Sequence, residues 1–125
     1  MSGGVLGIDH VSLVVSDLAR AARFYQELLE LTPLERPELG FPGLWYDLGQ
    51  GQALHLLAVP NPDPAARGVC GGRDRHLALR VGDLERLRAR LEGAGFTVDY
   101  SRSGRAAVFL RDPDGNTIEL VVPGG

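Results

Sequence analysis

The stretch His10-Val-Ser-Leu-Val-Val-Ser-Asp-Leu18 returns, altered, as His76-Leu-Ala-Leu-Arg-Val-Gly-Asp-Leu84, displaced by 66 residues. His10/His76, Leu13/Leu79, Val15/Val81, Asp17/Asp83 and Leu18/Leu84 recur in order. An internal repeat outranks other fold signals, because it says that one structural unit is used twice. It also places two of the chain's three histidines at equivalent positions, which is a metal-site hypothesis in its own right.

Working outward from the first copy, Ile8–Val15 is rich in Val, Ile and Leu and predicts a strand. Asp17 is placed to cap a helix running to about Glu30, with Leu18, Ala21, Tyr25, Leu28 and Leu29 as an apolar stripe at helical spacing. Thr32-Pro33 is expected to end that helix. Two short strands follow, near Leu44–Leu48 and Ala53–Val59, turned by Gly49-Gln-Gly51. The run from Pro60-Asn-Pro-Asp-Pro64 to Gly71-Gly72 predicts the linker. In the second copy His76–Val81 is a strand and Asp83 caps a helix striped by Leu84, Leu87 and Leu91, closed by Gly93 or Gly95. Phe96–Tyr100, Ala106–Leu110 and Thr117–Val122 are candidate strands, with Asp112-Pro-Asp-Gly115 as a hairpin turn. The plan of each half is strand–helix–strand–strand–strand. The expectation is one domain over 1–125, with modules at about 6–60 and 73–122 joined by a Pro/Gly-rich linker.

Bulk properties narrow the function classes. A chain of 125 residues, 44% hydrophobic, is large enough for a real core. A net charge of -3 and a pI near 5.5 carry no nucleic-acid footprint. All thirteen basic residues are arginine, which excludes Schiff-base chemistry on a lysine. Cys70 is the single cysteine and cannot close an intrachain disulfide, which fits a reducing setting. No apolar run approaches a membrane span, and Met-Ser-Gly-Gly lacks the features of a signal peptide. The expectation is a soluble cytoplasmic protein with a small-molecule substrate.

Strand parity sharpens the repeat. Side chains alternate across a strand, so Val11, Leu13 and Val15 face the helix while His10, Ser12 and Val14 face away. In the second copy Leu77, Leu79 and Val81 face the helix, and His76, Ala78 and Arg80 face away. Leu54 and Leu56 go to the helix side and His55 to the other. Ile118 and Leu120 do the same, leaving Glu119 on the open face. His55 and Glu119 correspond if the Asp112–Gly115 hairpin is allowed two extra residues. Four potential metal ligands, His10, His55, His76 and Glu119, therefore occupy matched positions on a sheet face that looks like a cavity wall. Imidazoles with a carboxylate suit Zn, Ni, Fe, Co or Mn.

Together these segments resemble the vicinal oxygen chelate superfamily, which includes glyoxalase I, fosfomycin-resistance proteins, extradiol dioxygenases, methylmalonyl-CoA epimerase and bleomycin-resistance proteins. The resemblance covers about residues 6–122. It rests most specifically on Asp9-His-Val-Ser-Leu-Val-Val-Ser-Asp-Leu18, the Phe24-Tyr25 pair and Arg111-Asp-Pro-Asp-Gly-Asn-Thr-Ile-Glu-Leu120. It implies an α+β fold of two βαβββ modules, curled into a cup-shaped mixed sheet around a divalent metal. His10 and His76 match the first-strand histidines and Glu119 the last-strand carboxylate. His55 falls where glyoxalase I carries glutamate and the epimerase glutamine. It departs from both as a fourth ligand, a base or a partner behind the ligands. The resemblance also implies a homodimer.

Four readings follow. The first is a metal-dependent lyase or isomerase of glyoxalase type, with Glu119 or His55 moving a proton. The second is an Fe(II) extradiol-type dioxygenase. The third is fosfomycin-type thiol transfer, against which the absence of lysine counts. The fourth is a non-catalytic drug-binding protein of bleomycin-resistance type. Arg80 shares the parity of His76 and is a candidate to bind a substrate carboxylate or phosphate. Trp45, Tyr100, Arg102 and Arg105 are candidates to line the substrate pocket. Phe24-Tyr25 is read as core packing, and Asp17 and Asp83 as helix caps.

Overall fold

The computed structural model describes residues 3–124. Met1, Ser2 and Gly125 of the expected 1–125 domain lie outside the described residues. The first unit contains β1 (His10–Val14), α1 (Leu18–Ala22), β2 (Thr32–Leu34), β3 (Gly43–Gly49) and β4 (Gln52–Leu57). The second contains β5 (His76–Arg80), α2 (Leu84–Gly93), β6 (Asp99–Tyr100), β7 (Ala107–Arg111) and β8 (Thr117–Val121). The result is α+β: two four-stranded mixed sheets, ordered β1-β4-β3-β2 and β5-β8-β7-β6. In each, the first strand runs parallel to the last and the other pairs are antiparallel.

The helices start where the sequence predicts. Asp17 accepts from the Arg20 amide at 2.9 Å and Asp83 from the Arg86 amide at 3.0 Å, each satisfying an amide with no partner inside its helix. The first helix departs from a plain α-helix after Ala22. Arg23–Leu28 form a wider π-helical turn, with the Leu29 amide bonded to the Phe24 carbonyl at 3.0 Å. The extra residue in the turn lets the neighbouring Phe24 and Tyr25 both bury fully. Glu30 takes a left-handed φ of 64°, and the Leu31 amide returns to the Tyr25 carbonyl at 3.0 Å, which closes the helix.

Thr32-Pro33 do more than end the helix. They open β2, a strand the first half needs to match the second and one that local sequence hides behind its proline. Proline is tolerated there because β2 is an edge strand. Gly49, Gln50 and Gly51, all at positive φ, turn β3 into β4. The strand expected over Phe96–Tyr100 is confined to Asp99–Tyr100, because the Phe96 amide still closes α2 on the Leu91 carbonyl.

Parity is obeyed. Leu54, Leu56, Ile118 and Leu120 are fully buried beneath the helices with Phe24, Tyr25, Tyr46 and Leu91. A polar clamp crosses this core. Tyr25 donates to Asp112 Oδ2 at 2.5 Å. Asn116 Nδ2 donates to Asp112 at 2.9 Å and to the β1 carbonyl of Val14 at 3.0 Å. Desolvation raises the pKa of Tyr25 well above its ordinary value and also raises that of Asp112. The Asp112–Gly115 turn therefore does more than join β7 to β8: it ties the second unit to the first.

Candidate functional site

Each sheet presents one candidate pair on the face away from the helices. In the first, Ser12 is in register with His55; in the second, Ala78 is in register with Glu119. Ser12 and Ala78 are equivalent in the repeat, so His55 and Glu119 occupy equivalent places on their last strands.

On the first sheet the rings form a stack. His55 lies between Trp45 at 4.1 Å and His10 at 4.0 Å between centroids, with interplanar angles of 5° and 14°. Trp45 is in register with His55 across β3 and β4, which is why the indole covers the imidazole. Burial, followed by the nearby His10, pushes the His55 pKa below its ordinary value and favours the neutral ring. His10 Nδ1 meets the Asp9 carboxylate at 2.7 Å. That contact makes Nδ1 the donor and leaves Nε2 for another partner.

On the second sheet the arrangement is polar and charged. His76 Nδ1 meets the Asp74 carbonyl at 2.7 Å, and Nε2 meets Glu119 Oε1 at 3.0 Å. A carbonyl can only accept, so Nδ1 carries hydrogen. A neutral imidazole has no second N–H, and an ionised carboxylate has none to give. The Nε2–Oε1 contact therefore needs a cation between or on its partners, either a proton or a metal ion. Glu119 is buried, and Phe109 stands edge-on to His76 at 5.2 Å, so both partners are partly shielded from water.

The loop before β5 holds this imidazole in place. Asp74 accepts from Arg67 at 2.7 and 2.8 Å, from Thr117 Oγ1 at 2.8 Å and from Arg111 at 3.2 Å. The Arg67 bonds, helped by Thr117, hold its carboxyl down at about 2. The side chain of Asp74 is thus pinned to β7, β8 and the linker while its carbonyl fixes the tautomer of His76. A histidine whose second nitrogen is held by a carboxylate or carbonyl is the usual arrangement around a metal, and both His10 and His76 have it. Sequence reading passed over Asp9 and Asp74 as partners of the histidines. The available signal was an acidic residue one or two positions before each.

The structure joins His10 to His55 and His76 to Glu119, but it does not gather all four. Among the described residues no group of three or more His, Cys, Asp or Glu side chains is placed to hold a metal ion. The donor types fit a divalent ion, and the pairs offer them in halves.

A cavity of about 1010 Å³ opens over His76 and Glu119, with Phe109, Tyr100, Arg102 and Arg105 among its lining. Trp45 lies elsewhere, on His55. Arg80 also lies elsewhere: at the far end of β5 from His76, it lines a second cavity of about 470 Å³ with Leu77, Leu79 and Leu48. Parity alone missed this, because five residues of strand separate the two ends by about 13 Å. Cys70 lines the larger cavity, and burial raises the pKa of its thiol.

Residues 7–120 match the Glyoxalase/Bleomycin resistance protein/Dioxygenase superfamily. Glyoxylase I 4 of Arabidopsis thaliana is 32% identical over 122 residues, covering 90% of this chain and 68% of the relative. Glutathione transferase FosA of Serratia marcescens is 33% identical over 122 residues, covering 92% and 79%. The crystal structure of TnmS3, an antibiotic binding protein from Streptomyces sp. CB03234, superposes with a TM-score of 0.74 at 27% identity. It covers 98% of this chain and 100% of that one.

Proposed function

Because this chain belongs to the Glyoxalase/Bleomycin resistance protein/Dioxygenase superfamily, we propose that it is a metal-dependent lyase or isomerase of glyoxalase type. Its substrate would be a small molecule with two neighbouring oxygens. Held by His10, His76 and Glu119, a divalent ion would supply Lewis-acid polarisation of those oxygens and stabilise the enediolate-like charge that develops between them. His76 presents Nε2 because Asp74 holds Nδ1, and His10 presents Nε2 because Asp9 holds its Nδ1. Glu119 is the group that moves a proton between adjacent carbons. His55, whose neutral ring is favoured by burial, is either a fourth ligand or a second base. The observation that carries this reading is the His76 ring, fixed at one nitrogen and facing a buried carboxylate at 3.0 Å with the other.

The separation of the four residues into two pairs supports a homodimer in which each complete site takes one pair from each chain. A second reading, non-catalytic ligand binding, draws on the likeness to an antibiotic binding protein.

The test is metal analysis of purified protein, then a substrate panel on the loaded form. The panel contains thiol adducts of 1,2-dicarbonyls, catechols with oxygen uptake, and epoxides with thiols. Near-stoichiometric Zn, Ni, Fe, Co or Mn, lost in His76→Ala, is expected together with lyase or isomerase turnover. Ring cleavage with oxygen uptake would mean a dioxygenase, and thiol consumption with an epoxide a transferase. No metal under any loading, with His76→Ala indistinguishable from wild type and tight drug binding by the apo protein, would establish the binding-protein reading instead.

A further inference from the structure

The arginines are not evenly neutralised. Arg20, Arg23, Arg67, Arg75, Arg86, Arg88, Arg90 and Arg111 each stand in an ion pair with Asp or Glu. Arg36 donates to the Phe41 carbonyl at 2.9 Å. Among the described residues the guanidinium groups of Arg73, Arg80, Arg102 and Arg105 make no such contact. Three of these four, Arg73, Arg102 and Arg105, line the cavity over His76 and Glu119.

That cavity also contains two acidic side chains. Glu119 is committed to His76, and Asp99 makes no ion pair with the three arginines among the described residues. The lining therefore keeps an excess of positive charge in a chain whose net charge is -3. A cleft of one sign concentrates ligands of the other. The loop that carries two of the arginines is ordered by its own hydroxyls. Ser101 Oγ and Ser103 Oγ are 2.8 Å apart, and the amides of Ser103 and Arg105 donate to them at 3.2 and 3.3 Å. Arg73 precedes the pinned Asp74. The forks thus stand on two anchored segments that line one cavity, together with Phe109, whose ring stands edge-on to His76.

We propose that this cavity selects a small organic anion. Its carboxylate, phosphonate or phosphate would be held by Arg73, Arg102 and Arg105, which line the same cavity. Its apolar body would lie on Phe109, and its reacting end would reach His76 and Glu119. The inference deepens the proposed function and rests on that reading for the identity of the reacting end. Planar guanidinium forks match carboxylate and phosphonate oxygens two at a time.

Calorimetric titration of the metal-free protein tests it without anion–metal contacts. The probes are phenylacetate, benzylphosphonate and the neutral phenylacetamide. Both anions are expected to bind at least about tenfold tighter than the amide, with affinity falling as salt rises. Arg102→Gln/Arg105→Gln should lose at least about tenfold for the anions and nothing for the amide, while Arg80→Gln, in the other cavity, behaves as wild type. Preference between the two anions assigns the group as carboxylate or phosphoryl-like. Equal binding of amide and acid, full anion affinity in the double variant, or no anion binding at millimolar concentration would each overturn the proposal. Co²⁺ affinity of the same proteins, read from visible absorption, separates the two ideas. Wild type that binds anions selectively but no Co²⁺ sinks the metal reading alone. Wild type that binds Co²⁺ but shows no anion selectivity sinks this proposal alone.

Discussion

The two sheets are the same object built twice, and their open faces do different chemistry. On the first, His10, His55 and Trp45 stack as three aromatic rings. On the second, the equivalent of His55 is Glu119, 3.0 Å from His76 Nε2 in a cavity also lined by arginines. Strand order, register and helix caps agree between the copies. The difference lies in the last-strand residue, in the ring that pairs with it across the sheet (Trp45 in one copy, Phe109 in the other), and in the segments before β5 and after β6. The backbone fixes where a ligand can stand; the side chain at that place decides whether it stacks, accepts a proton or holds a cation.

The largest effect should come from uncoupling the two copies. Asp112→Ala strands the buried Tyr25 hydroxyl and removes one of the two acceptors of the Asn116 amide, and should cost about 3 kcal/mol or more in urea unfolding. Asp112→Asn should cost less, because an amide oxygen still accepts from Tyr25. If alanine is as stable as wild type, the clamp does not join the units.

Next comes the contrast between the faces themselves. His76→Ala should lower Co²⁺ or Zn²⁺ affinity at least about 100-fold, and His55→Ala by less than about tenfold, measured by competition with a chelator. Equal losses would mean that His55 is as much a ligand as His76.

A smaller effect is expected one step back from the ring. Asp74→Asn keeps the shape but weakens the bonds to Arg67 and Arg111, and so loosens the carbonyl that holds His76 Nδ1. Metal affinity should fall about tenfold. Imidazole ¹⁵N shifts of the apo protein should show a mixture of tautomers where wild type shows hydrogen on Nδ1. The same carboxyl contributes to acid stability. Its folded pKa of about 2 lies below the ordinary 3.8, so its stabilisation is complete above about pH 4 and fades as pH falls toward 2. Asp74→Asn should be less stable than wild type at neutral pH and converge with it in acid.

The smallest effect is optical. Trp45 is the chain's single tryptophan, and His55 lies flat on it. A protonated imidazole quenches indole emission, so fluorescence should drop as His55 takes up a proton. Burial and His10 place that midpoint below the ordinary 6.5. A midpoint at or above it would mean that the stack is open in solution.

Much of this molecule is legible in its residues. The repeat announced two equivalent units, Asp17 and Asp83 their helix starts, and strand alternation put His10, His55, His76 and Glu119 away from the core. These are local rules of period and capping, and they need no knowledge of what lies across the fold. The β2 strand was not legible, since Pro33 argues against a strand until its edge position is known. Nor was the π-helical turn, which exists because Phe24 and Tyr25 both have a core to fill.

What the tertiary structure decided is how the marked residues are grouped. It divided four candidate ligands into a stacked pair and a histidine–carboxylate pair, sent Arg80 to another cavity, and brought Arg73 into the same cavity as Arg102 and Arg105 from a distant segment. It also recruited Asp74, whose carboxylate is held by three side chains from elsewhere in the chain. Parity and period fix the direction of a side chain, but charges and hydrogen bonds depend on distance. Distance between segments far apart in sequence is set only when the sheets and their loops have packed.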